Sequence, residues 1–597
     1  MSGFTRRGFL VMAGVSVPAV FSFAQSAGDD PLLKALLDEL ERSRQLRVIN
    51  GGGDEIPYFI AYTLGDQQTF SVAATLGAVT VSGANHQRVP IIEVRVGSYD
   101  FDNTGHIFSG AYSGSRYDTE PWPLDNNYQN MRESLWLATD HAYKAAVESI
   151  ARKRAALNSV VAPGEKQADY SKSEPIVSLA KLDTPKIDEK SLSARAAKLS
   201  GIFASYPEIV ASGIEISVNV GPTYYVNTEG TQLRFPDDVV WLTARAESQA
   251  ADGMLIREGL SVASLDLEHF PGEAELDQGI RAMADRVKAR WNAPVAGAPG
   301  DSFTGPVLFE PYAAAQLMAQ LIGDNVRVPR RPVSEPGRQV NFTPSEFEGR
   351  IGNRVLPDWM DVIDDPTQTT RQGKPLLGFY PYDIEGVKPK TVTLVEKGAL
   401  KSFLWTRLPG KSWTASNGRA RLAASYGWRS AAISNLFVNA SQTEPLTGLK
   451  AKLVQMCKDR DKPYGFLVRR LDYPFASGGG ELQSLLAGAR TGGSARAISP
   501  PTLIYRVYPD GREELVRGLR FRGVSIRTLR DILAASSETA QFDFVNNGAP
   551  LALLGGGGLL APASVIAPGI LFDEMEFERP QDQLQRPPIV PPPNAKG

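Results

Sequence analysis

Cysteine is almost absent. The 597 residues hold one, Cys457, so no disulfide can form within the chain and no Cys-rich zinc site can be built. Histidine is nearly as scarce. The four are His86, His106, His141 and His269, and no two lie within five residues of each other. A pair of imidazoles on one helical face cannot be made from them. A charge excess is missing too. Lys+Arg total 64 against 66 Asp+Glu, a net charge of -2, which argues against a nucleic-acid partner because phosphate binding needs a basic face. After the N-terminus no segment has the ~18 continuous apolar residues of a spanning helix. The four glycines Gly555 to Gly558 lack the trailing Lys-Ser/Thr of a phosphate-binding loop and read as a flexible turn.

What is present begins with an address. Thr5-Arg6-Arg7-Gly8-Phe9-Leu10 is a twin-arginine pattern, followed by an apolar stretch from Phe9 to Phe23. Ser22-Phe23-Ala24 supplies small residues for cleavage after Ala24. Residues 1–24 therefore read as a Tat export signal, and the mature chain as a periplasmic or surface-associated body. The same residues would also serve as an uncleaved anchor. The length exceeds one hydrophobic core and predicts two large domains, 29–292 and 301–578. Between them Ala293 to Gly300 is rich in Pro, Gly and Ala, and beyond Glu578 a Pro-rich tail, 579–597, reads as disordered.

The fold class expected is α+β: helices and antiparallel strands first, then a curved or barrel-like sheet. Asp29-Asp30-Pro31 suits a helix start, with Leu32, Leu33, Leu36, Leu37 and Leu40 on one face. Residues 57–63 and 91–96 alternate as strands, and 135–154, 192–203 and 273–291 read as helices. Val160 to Lys190 is polar and reads as a surface excursion. Residues 213–220, 224–231 and 239–248 form a meander, with Asn227-Thr228-Glu229-Gly230 as a hairpin turn. In the second half 391–400 and 503–512 are hairpins, the latter turning on Pro509-Asp510-Gly511. Gly305 to Gly323 reads as a strand running into a helix with Glu310 at its mouth. His86 and His106 fall in polar loops, His141 in a helix, and His269 beside Phe270. Cys457 reads as an ordinary half-buried residue of a helix over 446–458.

The ordered set of Gly305–Gly323, Arg350–Arg354, Val362–Asp365, Asp383-Ile384-Glu385-Gly386, Val395–Leu400, Ser416–Arg421, Ser434–Val438 and Ile566–Glu574 resembles the TldD/TldE (PmbA) metalloprotease family, once called modulators of DNA gyrase. The likeness runs from about Pro31 to Glu578. In TldD-like members it implies His-Glu-x-x-x-His on the helix that starts here at Glu310, with a zinc held by both imidazoles and a cysteine near the C-terminus, and the glutamate as general base. Here Glu310 matches that base, while Phe309 and Ala314 replace the histidines, and the stretch 544–555 has no cysteine. The chain is thus similar to the metal-free TldE side, which associates with a TldD-like partner.

That likeness implies no metal or cofactor in this chain, with zinc expected only in a partner. The partner would be a TldD-like catalytic subunit, or a second copy in a homodimer, and the substrate peptide. Glu310 would keep no chemical role, a carboxylate at a helix N-terminus being favoured by the dipole in any case. Asn417, Gly418, Arg419 and Arg421 match a loop near the family's site. They are candidates for substrate or partner contact, or else an ordinary solvated turn. Two alternatives stay open: a hydrolase with its site elsewhere, and a peptide-binding scaffold without an enzyme partner.

Overall fold

The computed structural model describes residues 30–47, 55–107, 116–117, 122–157, 167–328, 330–334, 344–410, 413–425, 428–473, 498–545, 561–581 and 590. The export signal, the four-glycine run, nearly all of 544–555 and most of the Pro-rich tail lie outside them. The architecture is α+β, with two large sheets. No helix of the described residues is long and apolar enough to cross a membrane.

Helix α1 (Pro31–Ser43) starts as its sequence dictates. Asp30 accepts from the Leu32 and Leu33 amides at 3.1 and 3.2 Å, and Pro31 occupies the first turn. The other oxygen of Asp30 meets Arg234 at 2.6 Å, which ties the helix to the sheet.

The nine-stranded sheet is built on a long hairpin, β1 (Pro57–Thr75) and β2 (Ala78–Val96). On its other edge β1 pairs with Pro222–Asn227 and, further along, with Ile209–Val220. These two strands are separated by Gly221, whose φ of +143° and 2.1 Å approach of a Cβ to the Asp66 carbonyl leave room only for glycine. Helices α1 and α2 (Tyr128–Leu157) cover one part of the sheet through Leu36, Ile60, Tyr62, Val94 and Leu135. Helices α3 (Glu189–Ser200) and α4 (Glu273–Asn292) cover another through Phe70, Val72, Ile214 and Ile280.

The eleven-stranded sheet centres on Ala563–Glu578. It pairs antiparallel with Ser302–Phe309, Arg520–Arg522 and Ile532–Phe544, and parallel with Asn435–Ala440. Its first ten residues are buried without interruption, as expected of a central strand. The two expected hairpins of this half form. Lys397 and Gly398 turn one with φ of 47° and 72°, and the amide of Gly511 closes the other on the Tyr508 carbonyl at 2.8 Å.

Four expectations fail here. The stretch holding His86 is strand, not loop: β2 runs through it, and His86 pairs with Asp66 at 2.7 Å. Nor does the whole of the supposed excursion lie on the surface. Asp169, Tyr170 and Ser171 are buried, with Lys153 against Asp169 at 2.6 Å. Cys457 is wholly buried on α6 (Leu446–Asp459), and burial raises its pKa.

His106 likewise belongs to a strand, the two-residue His106–Ile107, which pairs with Val333–Ser334. Its ring is fully buried, with Nε2 3.1 Å from Ser149 Oγ. Burial first, and Lys153 second, lower its pKa from 6.5 to about 4. Between those values the unfolded chain binds the proton better, so this contribution is intact above pH 6.5 and lost as pH falls toward 4. Urea unfolding over that range should show roughly 3 kcal/mol of acid-linked loss from this group. His106→Asn should flatten that part of the slope.

Candidate functional site

The strand Ser302–Phe309 delivers the chain into helix α5 (Pro311–Met318). Glu310 is the N-cap residue: its carbonyl accepts from the Ala314 amide at 2.9 Å. Its carboxylate does not cap the helix. One oxygen accepts instead from Arg469 Nε at 3.0 Å and lies 3.2 Å from Lys450 Nζ. Glu513 bridges the same two cations at 2.7 and 3.4 Å. The expected dipole role is thus replaced by a four-charge cluster at the rim of the sheet.

Phe309 and Ala314 are completely buried. The Phe309 ring stacks on Phe521 at 6.0 Å and meets Phe572 edge-on at 5.5 Å. Helix α5 then runs as a π-helix over Ala319–Gly323. Gly323 packs closely, since a Cβ there would stand 2.9 Å from the tip of the Ile433 side chain, which would have to shift.

The 416–421 loop is mostly occupied with holding itself. Asn417 accepts from the Trp405 amide at 2.7 Å and donates to the Phe403 carbonyl at 2.9 Å. Gly418 has φ +76°, and a Cβ would come within 2.6 Å of Pro389 Cα. Arg419 is fully buried: it donates to Asp364 at 2.7 Å and to the carbonyls of Lys390 and Asn417 at 2.5 and 2.8 Å. Arg421 donates to the carbonyls of Ile433 and Pro562 at 3.2 and 2.7 Å and lies 4.4 Å from the Tyr380 ring centre. It is the member of the four that lines a cavity. The solvated-turn reading therefore fails, and Asn417 and Arg419 have their polar atoms committed inside the protein.

That cavity, about 720 Å³, opens between the two sheets. The first half contributes Asn219, Tyr225, Phe235 and Asp237, and the second contributes Tyr380 and Tyr382 among others. Its floor adjoins the turn Asp383-Ile384-Glu385-Gly386. Asp383 accepts from the amides of Glu385, Val387 and Ala420 at 2.9 to 3.0 Å. Glu385 accepts from the Arg407 amide at 2.7 Å. Burial pushes both carboxyls upward, and the charge of Asp383 raises Glu385 further.

Arg407 itself is wholly buried and links the halves: it donates to the Ser171 carbonyl at 2.9 Å and to Glu229 at 2.7 Å. Its guanidinium lies 4.1 Å from the Tyr170 ring centre, and Arg95 lies 3.8 Å from the same ring.

Compared with known families, residues 302–471 match the model described as the PmbA/TldA metallopeptidase C-terminal domain. Over those residues the chain is thus similar to the TldD/TldE (PmbA) family. A metalloprotease of Archaeoglobus fulgidus is 39% identical over 75 residues, 13% of this chain and 16% of that protein. Another, of Methanocaldococcus jannaschii, is 38% identical over 79 residues, again 13% and 16%. The chain thus matches only about a sixth of the length of these curated relatives. The crystal structure of TldE from Thermococcus kodakarensis aligns over 91% of this chain and 99% of its own, with TM-score 0.54 at 13% identity, a likeness of fold.

The TldD-type zinc does not fit this chain at the helix. A phenyl ring and a methyl group hold the positions of the two imidazoles, and neither has a lone pair to give. Among the described residues, no group of three or more His, Cys, Asp or Glu is placed to hold a metal ion. His141 is exposed on α2, and His269 pairs with Asp266 at 2.9 Å. The residues that sequence reasoning overlooked are Tyr170, Asp237 and Arg407. Arg407 carried a readable signal, a lone cation beside Phe403-Leu404-Trp405, whereas the cavity carried none, being assembled from distant segments.

Because Phe309 is a packed core ring, Phe309→Ala should destabilise the protein by about 3–5 kcal/mol in urea unfolding. Arg419→Ala should cost a similar ~3–5 kcal/mol, since it strands the buried Asp364 carboxylate. Combining it with Asp364→Asn should recover part of that loss.

Proposed function

We propose that this chain is the zinc-less, non-catalytic subunit of an exported peptidase assembly. A TldD-like partner would supply the metal and the water activation, and peptide would be the substrate of the pair. The observation that carries this reading is the aromatic and aliphatic packing of Phe309 and Ala314. Without nitrogen or sulfur donors, a water near Glu310 keeps a pKa close to that of bulk water and is a poor nucleophile at neutral pH. The engagement of Glu310 with Arg469 and Lys450 supports a structural task for that carboxylate. The twin-arginine stretch supports export, and the fold shared with a TldE supports the assignment to the metal-free side.

Metal analysis of the purified chain, joined to peptide-cleavage assays with and without a TldD-like partner, tests the proposal. The chain alone should hold substoichiometric zinc and cleave nothing, and it should co-purify with the partner as a heterodimer active against peptide. Stoichiometric zinc with chelator-sensitive cleavage by the lone chain would overturn it.

A further inference from the structure

The cavity between the halves is of ligand size, and its polar groups are unequal. Arg421 is committed to two backbone carbonyls and to the Tyr380 ring. His269 is held by Asp266. Asp383 is satisfied by three backbone amides. Asp237 and Asp238 differ. Among the described residues, the donor on Asp237 is the Thr223 hydroxyl at 2.8 Å, and that on Asp238 is the Gly221 amide at 2.9 Å. Neither carboxylate forms an ion pair with a described cation. Close by, the buried Oδ1 of Asn219 meets no donor among the described residues. The lining therefore has acceptors in surplus and donors in deficit.

The charge pattern selects a ligand. An anion would face Asp237 and Asp238 together, and a cation gains an attraction from both carboxylates that a neutral molecule does not. Asp237 is exposed at the cavity and Asp238 half-buried, and the cation that acts on Asp237, Arg421, is already committed to the Ile433 and Pro562 carbonyls. The walls are aromatic, with Phe235 from the first half 6.1 Å from Tyr382 of the second. Rings present a negative face to a cation and an apolar face to whatever carries it.

We infer that this cavity binds an organic cation, a primary ammonium or guanidinium on an apolar or aromatic body. Its N–H groups donate to Asp237, Asp238 and the Asn219 carbonyl oxygen, and its body lies against Phe235 and Tyr382. Such a cation comes either from a peptide, as its N-terminus or a basic side chain, or from a free amine. Binding is a property of the isolated chain and stands apart from the subunit reading, so the zinc experiment does not bear on it.

Isothermal titration of the full chain with three probes tests this: phenylalanyl-arginine amide, phenethylamine, and neutral N-acetylphenylalanine amide. At least one cationic probe should bind at one site per chain, at least about tenfold more tightly than the neutral probe. Preference between the two cations assigns the source. Asp237→Asn, which keeps the Thr223 acceptor, should weaken binding by at least about tenfold with an unchanged melting temperature. If that variant does not fold, Asp238→Asn and Phe235→Leu serve the same purpose. Neutral and cationic probes binding alike, no cationic binding at millimolar concentration, or full affinity in the folded variants would each overturn the inference.

Discussion

A buried guanidinium holds the two halves of this protein in register. Charge taken from water is stabilising where its partners are well placed, and the Arg407 guanidinium takes its partners from the first half while Nη1 meets no hydrogen-bond partner among the described residues. Ser171 and Glu229 come from the first half, and the amide of Arg407 binds Glu385 of the second. Tyr170 adds a ring face shared with Arg95. Glu229 sits in the turn after the strand bearing Tyr225, and Glu385 sits two residues beyond Asp383. The walls of the cavity are thus fixed by the residues that neutralise Arg407.

Helix α5 is fixed by packing that calls for no metal. The strand-to-helix junction needs a proline at the first turn, small residues facing the sheet and a close approach at Gly323. None of these requires a metal. Phe309 fills its site with contacts to Phe521 and Phe572, and Glu310 turns to an ion cluster with Arg469 and Lys450. Scaffold and chemistry are separable here because packing fixes the first while donor atoms alone decide the second.

Much of the fold was legible in the sequence because local signals agreed with burial. Asp30-Pro31 marked α1, Asn227 to Gly230 marked a turn, and Lys397-Gly398 marked another, each through backbone chemistry that acts within a few residues. That Phe309 and Ala314 carry no nitrogen or sulfur donor is equally plain, since it depends on residue type alone. What stayed hidden was long-range. The polarity of 83–88 suggested a loop because an exposed strand stretch buries no alternating face, and pairing with β1 supplies the order instead. Asp169 is polar and nevertheless buried because Lys153 meets it from a helix. The cavity is the extreme case, its carboxylates, rings and amide converging from opposite halves.

The strand Ala563–Glu578 has a consequence for how the protein is made. It is the spine of the larger sheet, yet the ribosome reaches it after every strand it pairs with, and its register joins Glu578 to Ser302. Until it emerges, Ser302–Phe309, Asn435–Ala440 and Ile532–Phe544 all lack their shared neighbour. Closure of this half therefore waits for the last of its strands and is slow by topology, with strand edges bare until then.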